Sequence, residues 1–140
     1  MRLWHKDLIP VLPRQQLLAQ WRECCCIARS IAINGTPNHL LVNKVMDYPI
    51  AHFNVYARAV YDEMWNRGYK CDWDKFAKWQ TNKCLEWELK DIFDGWHNDK
   101  YFIQCYYNLQ EKYDCSGISS EEWKKVYKLF FAKKHYGKEN

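Results

Sequence analysis

Two groups near the start of this chain are of the types that could do covalent chemistry together, the α-amine of Met1 and the carboxylate of Glu23. An unperturbed α-amine titrates at about 7.7–8.0, so a useful fraction is the free nucleophile at neutral pH, where an ordinary lysine is almost wholly charged. An amine of this kind can attack a deoxyribose through a Schiff base, and a neighbouring carboxylate can shuttle protons for the elimination that follows. Methionine aminopeptidase requires a small second residue. Arg2 is therefore expected to leave Met1 in place as the terminus. The imine is itself an electron sink, so this chemistry calls for no cofactor and no metal.

A second set of candidates sits at the other end. Trp123, Val126, Tyr127, Phe130 and Phe131 recur at helical spacing, Lys124, Lys125, Lys128, Lys133, Lys134 and Lys138 fill other positions, and no acidic residue interrupts 123–138. Lysines neutralise phosphates and release counterions. A ring such as Tyr136 can stack on an extruded base or wedge a kinked step. An ordinary amphipathic helix with a solvated lysine face has the same pattern, and the adjacent charges Arg22 and Glu23 equally suit a solvated helix face. His39, after Asn38 in a loop, is a candidate phosphate donor, whereas His52 beside an apolar stripe reads as a packing residue.

These groups need elements to position them. A long helix is expected over 14–33, with Leu17, Leu18, Trp21, Cys24, Cys25, Ala28, Ile31 and Ala32 on one face and Asn34-Gly35 as its stop. A short helix is expected over 40–46 and a second long one over 49–67, with Phe53, Tyr56, Ala57, Val60 and Met64 as its stripe. Residues 70–100 carry little signal beyond a helix start near Asp72 and a turn at Phe93-Asp94-Gly95-Trp96. A helix over 99–112 and a terminal one capped by Ser119 or Ser120 complete the set. For the Met1 amine to approach Glu23, the N-terminal segment must fold back, with Leu3 and Trp4 packed on the first helix.

Composition sets the outer bounds. At 140 residues, 48% hydrophobic and 27% charged, the chain suits one globular domain over 1–140. Its net charge of +4 argues only weakly for nucleic acid. The 8 Trp and 10 Tyr are too many for such a core to bury, so several rings belong at the surface or in a groove. The 7 cysteines include the consecutive Cys24, Cys25 and Cys26 and no Cys-x-x-Cys pair, which suits free thiols better than zinc. No apolar run is long enough for a membrane span, and there is no signal-peptide pattern.

Met1-Arg2-Leu3-Trp4, the run Arg14-Gln15-Gln16-Leu17-Leu18-Ala19-Gln20-Trp21-Arg22-Glu23, Asn38-His39 and the segment from Val60 to Tyr69 together resemble the pyrimidine-dimer DNA glycosylase (endonuclease V) family. Lys134-His135-Tyr136-Gly137-Lys138 is similar to the aromatic and basic tail of its phage-type enzyme. The resemblance implies a mostly α-helical protein that removes a damaged base and nicks the abasic site. Met1 would supply the amine, Glu23 the carboxylate, and Arg2 and Arg22 a grip on the DNA backbone. Cys26 stands where the phage-type enzyme has a further arginine, and Arg29, one turn on, is the residue that could take its place. The expectation is a compact all-α helical bundle with an extended N-terminal segment. It would be monomeric and cytoplasmic, in a bacterial or phage-infected cell, acting on double-stranded damaged DNA. Two rivals stay open, a catalytically inactive nucleic-acid- or nucleotide-binding protein on the same scaffold, and a protein-interaction module.

Overall fold

The computed structural model describes residues 1–83 and 85–137, with side chains described as far as Lys133. Lys138 and Cys84, and the side chains of Lys134 and Tyr136, lie outside the described residues. Among the described residues the structure is helical, without strands. A 3-10 turn (Lys6–Val11) leads through Pro13 into α1 (Arg14–Asn34). Gly35 ends α1 at φ 78°, in the left-handed region that glycine adopts most cheaply, and donates its N–H to Ile31 O. Pro49 starts α2 (Ile50–Asn66), and the one-turn α3 (Asp74–Ala77) lies against α1. After a 3-10 turn (Leu89–Asp91) come α4 (Asp99–Asp114) and α5 (Ser120–Gly137), packed on each other.

Two starts are set by side chains. Asn98 caps α4 by accepting from Tyr101 N at 2.9 Å. At α5, Ser119 Oγ accepts from Glu122 N at 3.2 Å while Glu122 Oε1 accepts from Ser119 N at 3.3 Å, a reciprocal capping box. Glu122 Oε2 also accepts the otherwise unpartnered first N–H of α1, that of Arg14, at 2.6 Å.

The short helix expected over 40–46 is a turn followed by a 3-10 turn, Asn43–Asp47. Asn43 Oδ1 takes His39 N–H at 3.0 Å, so the side chain satisfies a group that a helix would have to satisfy. Pro49 holds Tyr48 extended at φ −124°, ψ 158°, which cuts the segment off downstream.

The N-terminal segment is the middle of the core. Leu3, Trp4, Leu8, Ile9 and Leu12 are buried together with Leu17 and Trp21 of α1, Phe53 and Tyr56 of α2, and Phe102 and Leu109 of α4. On α1 the buried face includes Gln20 and Ile27 and leaves Ala32 exposed. Aromatic residues divide as their number requires. Phe53, Tyr56, Phe76 and Phe93 are buried, whereas Trp65, Trp87, Tyr107, Tyr127 and Phe131 are exposed. No helix among the described residues is long and apolar enough to cross a membrane.

A buried lysine and two buried imidazoles fasten the segment to residues 90–97. Lys6 Nζ donates to Lys90 O at 2.7 Å and Ile92 O at 2.6 Å, and Lys6 N donates to His97 Nδ1 at 3.0 Å. His5 stacks on His97 at 5.2 Å, and burial pushes both imidazoles well below their usual pKa. Below about pH 6.5 the unfolded chain takes up protons that these rings refuse in the folded state, so stability falls as pH falls. Urea midpoints should therefore decline from pH 7 to pH 5. The variant His97→Gln, which keeps an acceptor for Lys6 N–H, should show a slope shallower by up to one proton, about 1.4 kcal/mol per pH unit. An unchanged slope would mean that His97 protonates freely in the folded protein.

Candidate active site

The site is organised by one completely buried amide on α1. Gln20 Oε1 accepts from Trp4 N at 2.8 Å, and its Nε2 donates to Arg2 O at 3.0 Å and to Glu23 Oε2 at 3.1 Å. Gln20 and Glu23 stand three residues apart, which puts them on neighbouring turns of one helix face. The single hydroxyl proton of Tyr56 is shared between Trp4 O at 2.6 Å and Gln20 Oε1 at 2.9 Å. From α4, Tyr101 donates to Leu3 O at 2.6 Å. Arg2, Leu3 and Trp4 are thus pinned by their own backbone.

This geometry carries Met1 to the cleft that Glu23 lines. Met1 and Glu23 line one cleft of about 570 Å³, with Arg2, Gln16, Arg22 and, from α4, Lys112. Partial burial pushes the Glu23 pKa above the usual carboxylate range, and the charges of the Met1 amine, Arg22 and His39 oppose that shift. A carboxyl so balanced can hold a proton at higher pH than an exposed one and release it beside the amine. The Arg2 guanidinium lies 5.3 Å from the Trp4 ring centre, which stiffens an otherwise mobile side chain.

A second cleft, of about 790 Å³, shares Arg2 and Asn108 with the first. Leu40, Leu41 and Lys44 form one side, and Trp96, Lys100, Tyr101 and Tyr107 the other. His39 precedes the leucines. Its Nδ1 accepts from Leu41 N at 3.3 Å, so Nε2 carries the proton whenever the ring is uncharged.

Of the residues singled out by sequence, Met1, Arg2, Arg22 and Glu23 converge, and His39 is near enough for its charge to reach Glu23. Arg29 lies elsewhere, exposed, with its guanidinium 5.8 Å from the Trp79 ring centre. Lys124, Lys125 and Lys128 are exposed along α5. Lys133, grouped with them by spacing, is instead bonded to Asp7 Oδ2 at 2.6 Å and stands 4.6 Å from the Phe102 ring centre. Sequence reasoning missed Gln20, Tyr56, Lys44, Lys100 and Lys112. Gln20 alone carried a local signal, since it is a polar side chain on the helical face that also bears Leu17, Trp21 and Cys24.

No curated protein and no solved structure shows a significant match to this chain. The family model for pyrimidine dimer DNA glycosylases does match, over residues 1–76, which span Met1, the whole of α1 with Gln20 and Glu23, the His39 loop and α2. A match over more than half of the sequence shows the family, and the chain belongs to the pyrimidine dimer DNA glycosylases.

Proposed function

We propose that this glycosylase excises damaged pyrimidines, with dimerised pyrimidines as the leading lesion, and cuts the resulting abasic site through a Schiff base on the Met1 amine. The observation that carries the proposal is the Gln20 amide, which bonds the Arg2 carbonyl and the Glu23 carboxylate at once. The reacting pair is thereby held in one cleft before DNA arrives, as catalysis by proximity requires.

The uncharged amine attacks C1′ of the damaged nucleotide, and the glycosidic bond breaks with its electron pair leaving on the base, which takes up a proton. The sugar ring opens as C1′–O4′ breaks. O4′ gains a proton, the nitrogen loses one, and a cationic imine remains. Glu23, as carboxylate, removes a C2′ proton, and the electron pair expels the 3′ phosphate by β-elimination. Water then hydrolyses the imine and frees the amine. Arg2, Arg22 and Lys112 border this cleft as phosphate ligands, with Lys124, Lys125 and Lys128 of α5 as further cations for the double-stranded DNA. Lys134 and Tyr136 complete the proposed DNA-binding set, and Arg29 would join it only where the duplex extends past Trp79.

Borohydride should trap a covalent adduct on an oligonucleotide with one abasic site, and digestion should place it on the Met1 peptide. Acetylation of the terminus should abolish trapping. Trapping at full rate by the acetylated protein would assign the nucleophile to a lysine and defeat the proposal.

Glu23→Gln should leave DNA affinity intact and reduce strand scission by about a hundredfold or more. In the unmodified protein the acid limb of the rate profile should lie above the ordinary carboxylate range, since burial raises the Glu23 pKa. Acetylating Met1 removes a positive charge that stabilises the carboxylate, so the Glu23 pKa read by carbon-13 NMR should rise further. No change would separate the two groups in space.

Gln20→Leu tests the positioning role. It should lower kcat with little change in KM and should also reduce stability by roughly 1–3 kcal/mol for each buried partner left unpaired. A stability loss with kcat unaltered would make Gln20 purely structural.

A further inference from the structure

Leu40 and Leu41 stand at the tip of the loop after α1, 87% and 50% exposed, an unusual place for adjacent large apolar side chains. The loop cannot fold them away. Ser30 Oγ donates to Thr36 O at 2.8 Å, Asn43 Oδ1 takes His39 N–H at 3.0 Å, and His39 O receives Val42 N at 3.0 Å and Asn43 N at 2.8 Å. Val42 and Val45, immediately beyond, are anchored in the core. The leucines are therefore held outward by a bonded turn.

What they face has a definite chemistry. Their cleft also carries Arg2, Lys44 and Lys100, has no acidic side chain among its described lining residues, and shares Arg2 and Asn108 with the cleft of Met1 and Glu23. Cations around an apolar projection complement a ligand with anions outside and flat apolar faces within. Duplex DNA is built that way, and apolar side chains enter and unstack its base steps in other DNA-bending proteins.

We propose that Leu40 and Leu41 are a wedge that enters the base stack beside the lesion while Arg2, Lys44 and Lys100 hold the flanking phosphates. The proposal rests on the glycosylase reading above and deepens it. A stacked, damaged nucleotide keeps C1′ away from the amine, and the wedge makes the room that attack requires. An abasic site already lacks one base of the stack and has less need of it.

Both leucines are exposed, so the double variant Leu40→Ser/Leu41→Ser should keep the fold, checked by its urea midpoint. Excision from a duplex with one thymine dimer should fall by about tenfold or more, the scale of one leucine's burial, while scission at a preformed abasic site should change less than about threefold. With 2-aminopurine beside a non-cleavable abasic analogue, binding should raise fluorescence in the wild type and not in the variant. Lys44→Ala/Lys100→Ala should lower the salt slope of binding by about two units and leave the saturated fluorescence unchanged. Unchanged dimer excision, or a fluorescence rise that survives in the variant, would overturn the wedge, as would loss of both activities in parallel. A wild-type dimer that the leucine variant converts to monomer would assign the loop to a second copy instead. Should the wild type fail to cut abasic DNA, the Schiff-base reading falls, and the fluorescence measurement still decides the wedge.

Discussion

The first twelve residues form neither α-helix nor strand, yet they run through the centre of the molecule with Leu3, Leu8 and Leu12 almost wholly buried. Backbone polar groups in such a place must find partners outside regular structure. Every long helix except α5 supplies one to the backbone. Gln20 of α1 serves Arg2 O and Trp4 N, Tyr56 of α2 serves Trp4 O, and Tyr101 of α4 serves Leu3 O. Arg67, just past α2, donates to Leu12 O at 2.7 Å and Pro10 O at 3.1 Å while holding Glu63 at 2.7 Å. α5 contributes through a side chain, Lys133 to Asp7. Leaving one such buried group unpaired costs about 1–3 kcal/mol, a large share of a domain's stability. The bonds that satisfy this segment also fix where its α-amine emerges, so folding and the preparation of the site are one event.

The same arrangement sets the electrostatics. Glu23 is covered enough for burial to raise its pKa, but it faces the amine, Arg22 and His39, each of which favours the ionised form. Gln20 donates a neutral hydrogen bond to the carboxylate rather than a charge. A lysine or arginine in that position would hold the carboxylate ionised more strongly and weaken it as a base. The neutral amide orients the group at a smaller cost to its basicity.

Local chemistry in the sequence foretold what depends on local chemistry. Pro13 and Gly35 bound α1, and Ser119 with Glu122 starts α5. Met1, Arg2, Arg22 and Glu23, singled out from a terminus and a short helical motif, do line one cleft. Residues 70–100 stayed obscure because distant groups shape much of that stretch. Tyr48 donates to Asp94 O at 2.6 Å, His52 Nδ1 accepts from Phe93 N at 3.1 Å, and Phe93 itself adopts φ 57°, uncommon for a bulky residue. The bond from Lys133 to Asp7 was illegible for the same reason, since the two lie 126 residues apart. Lys44, Lys100 and Lys112 look like any surface lysine until the clefts assemble around them.

The match to residues 1–76 divides the molecule in a way that bears on its chemistry. The matched half holds the amine, the carboxylate, Gln20 and the leucine loop. The other half supplies Tyr101 to Leu3, His97 to Lys6 and Lys133 to Asp7, which brace that half from behind. It also builds the facing walls of both clefts with Trp96, Lys100, Tyr107, Asn108 and Lys112. None of these wall residues bonds to Gln20 or Glu23 through the amide network. On the proposed reading, changes in α4 would alter which DNA fits over the site while leaving Met1 and Glu23 undisturbed, provided that Tyr101 keeps its hold on Leu3. The matched half thus carries the amine and the carboxylate, the other half builds the walls that face them, and Tyr101, His97 and Lys133 tie the two together.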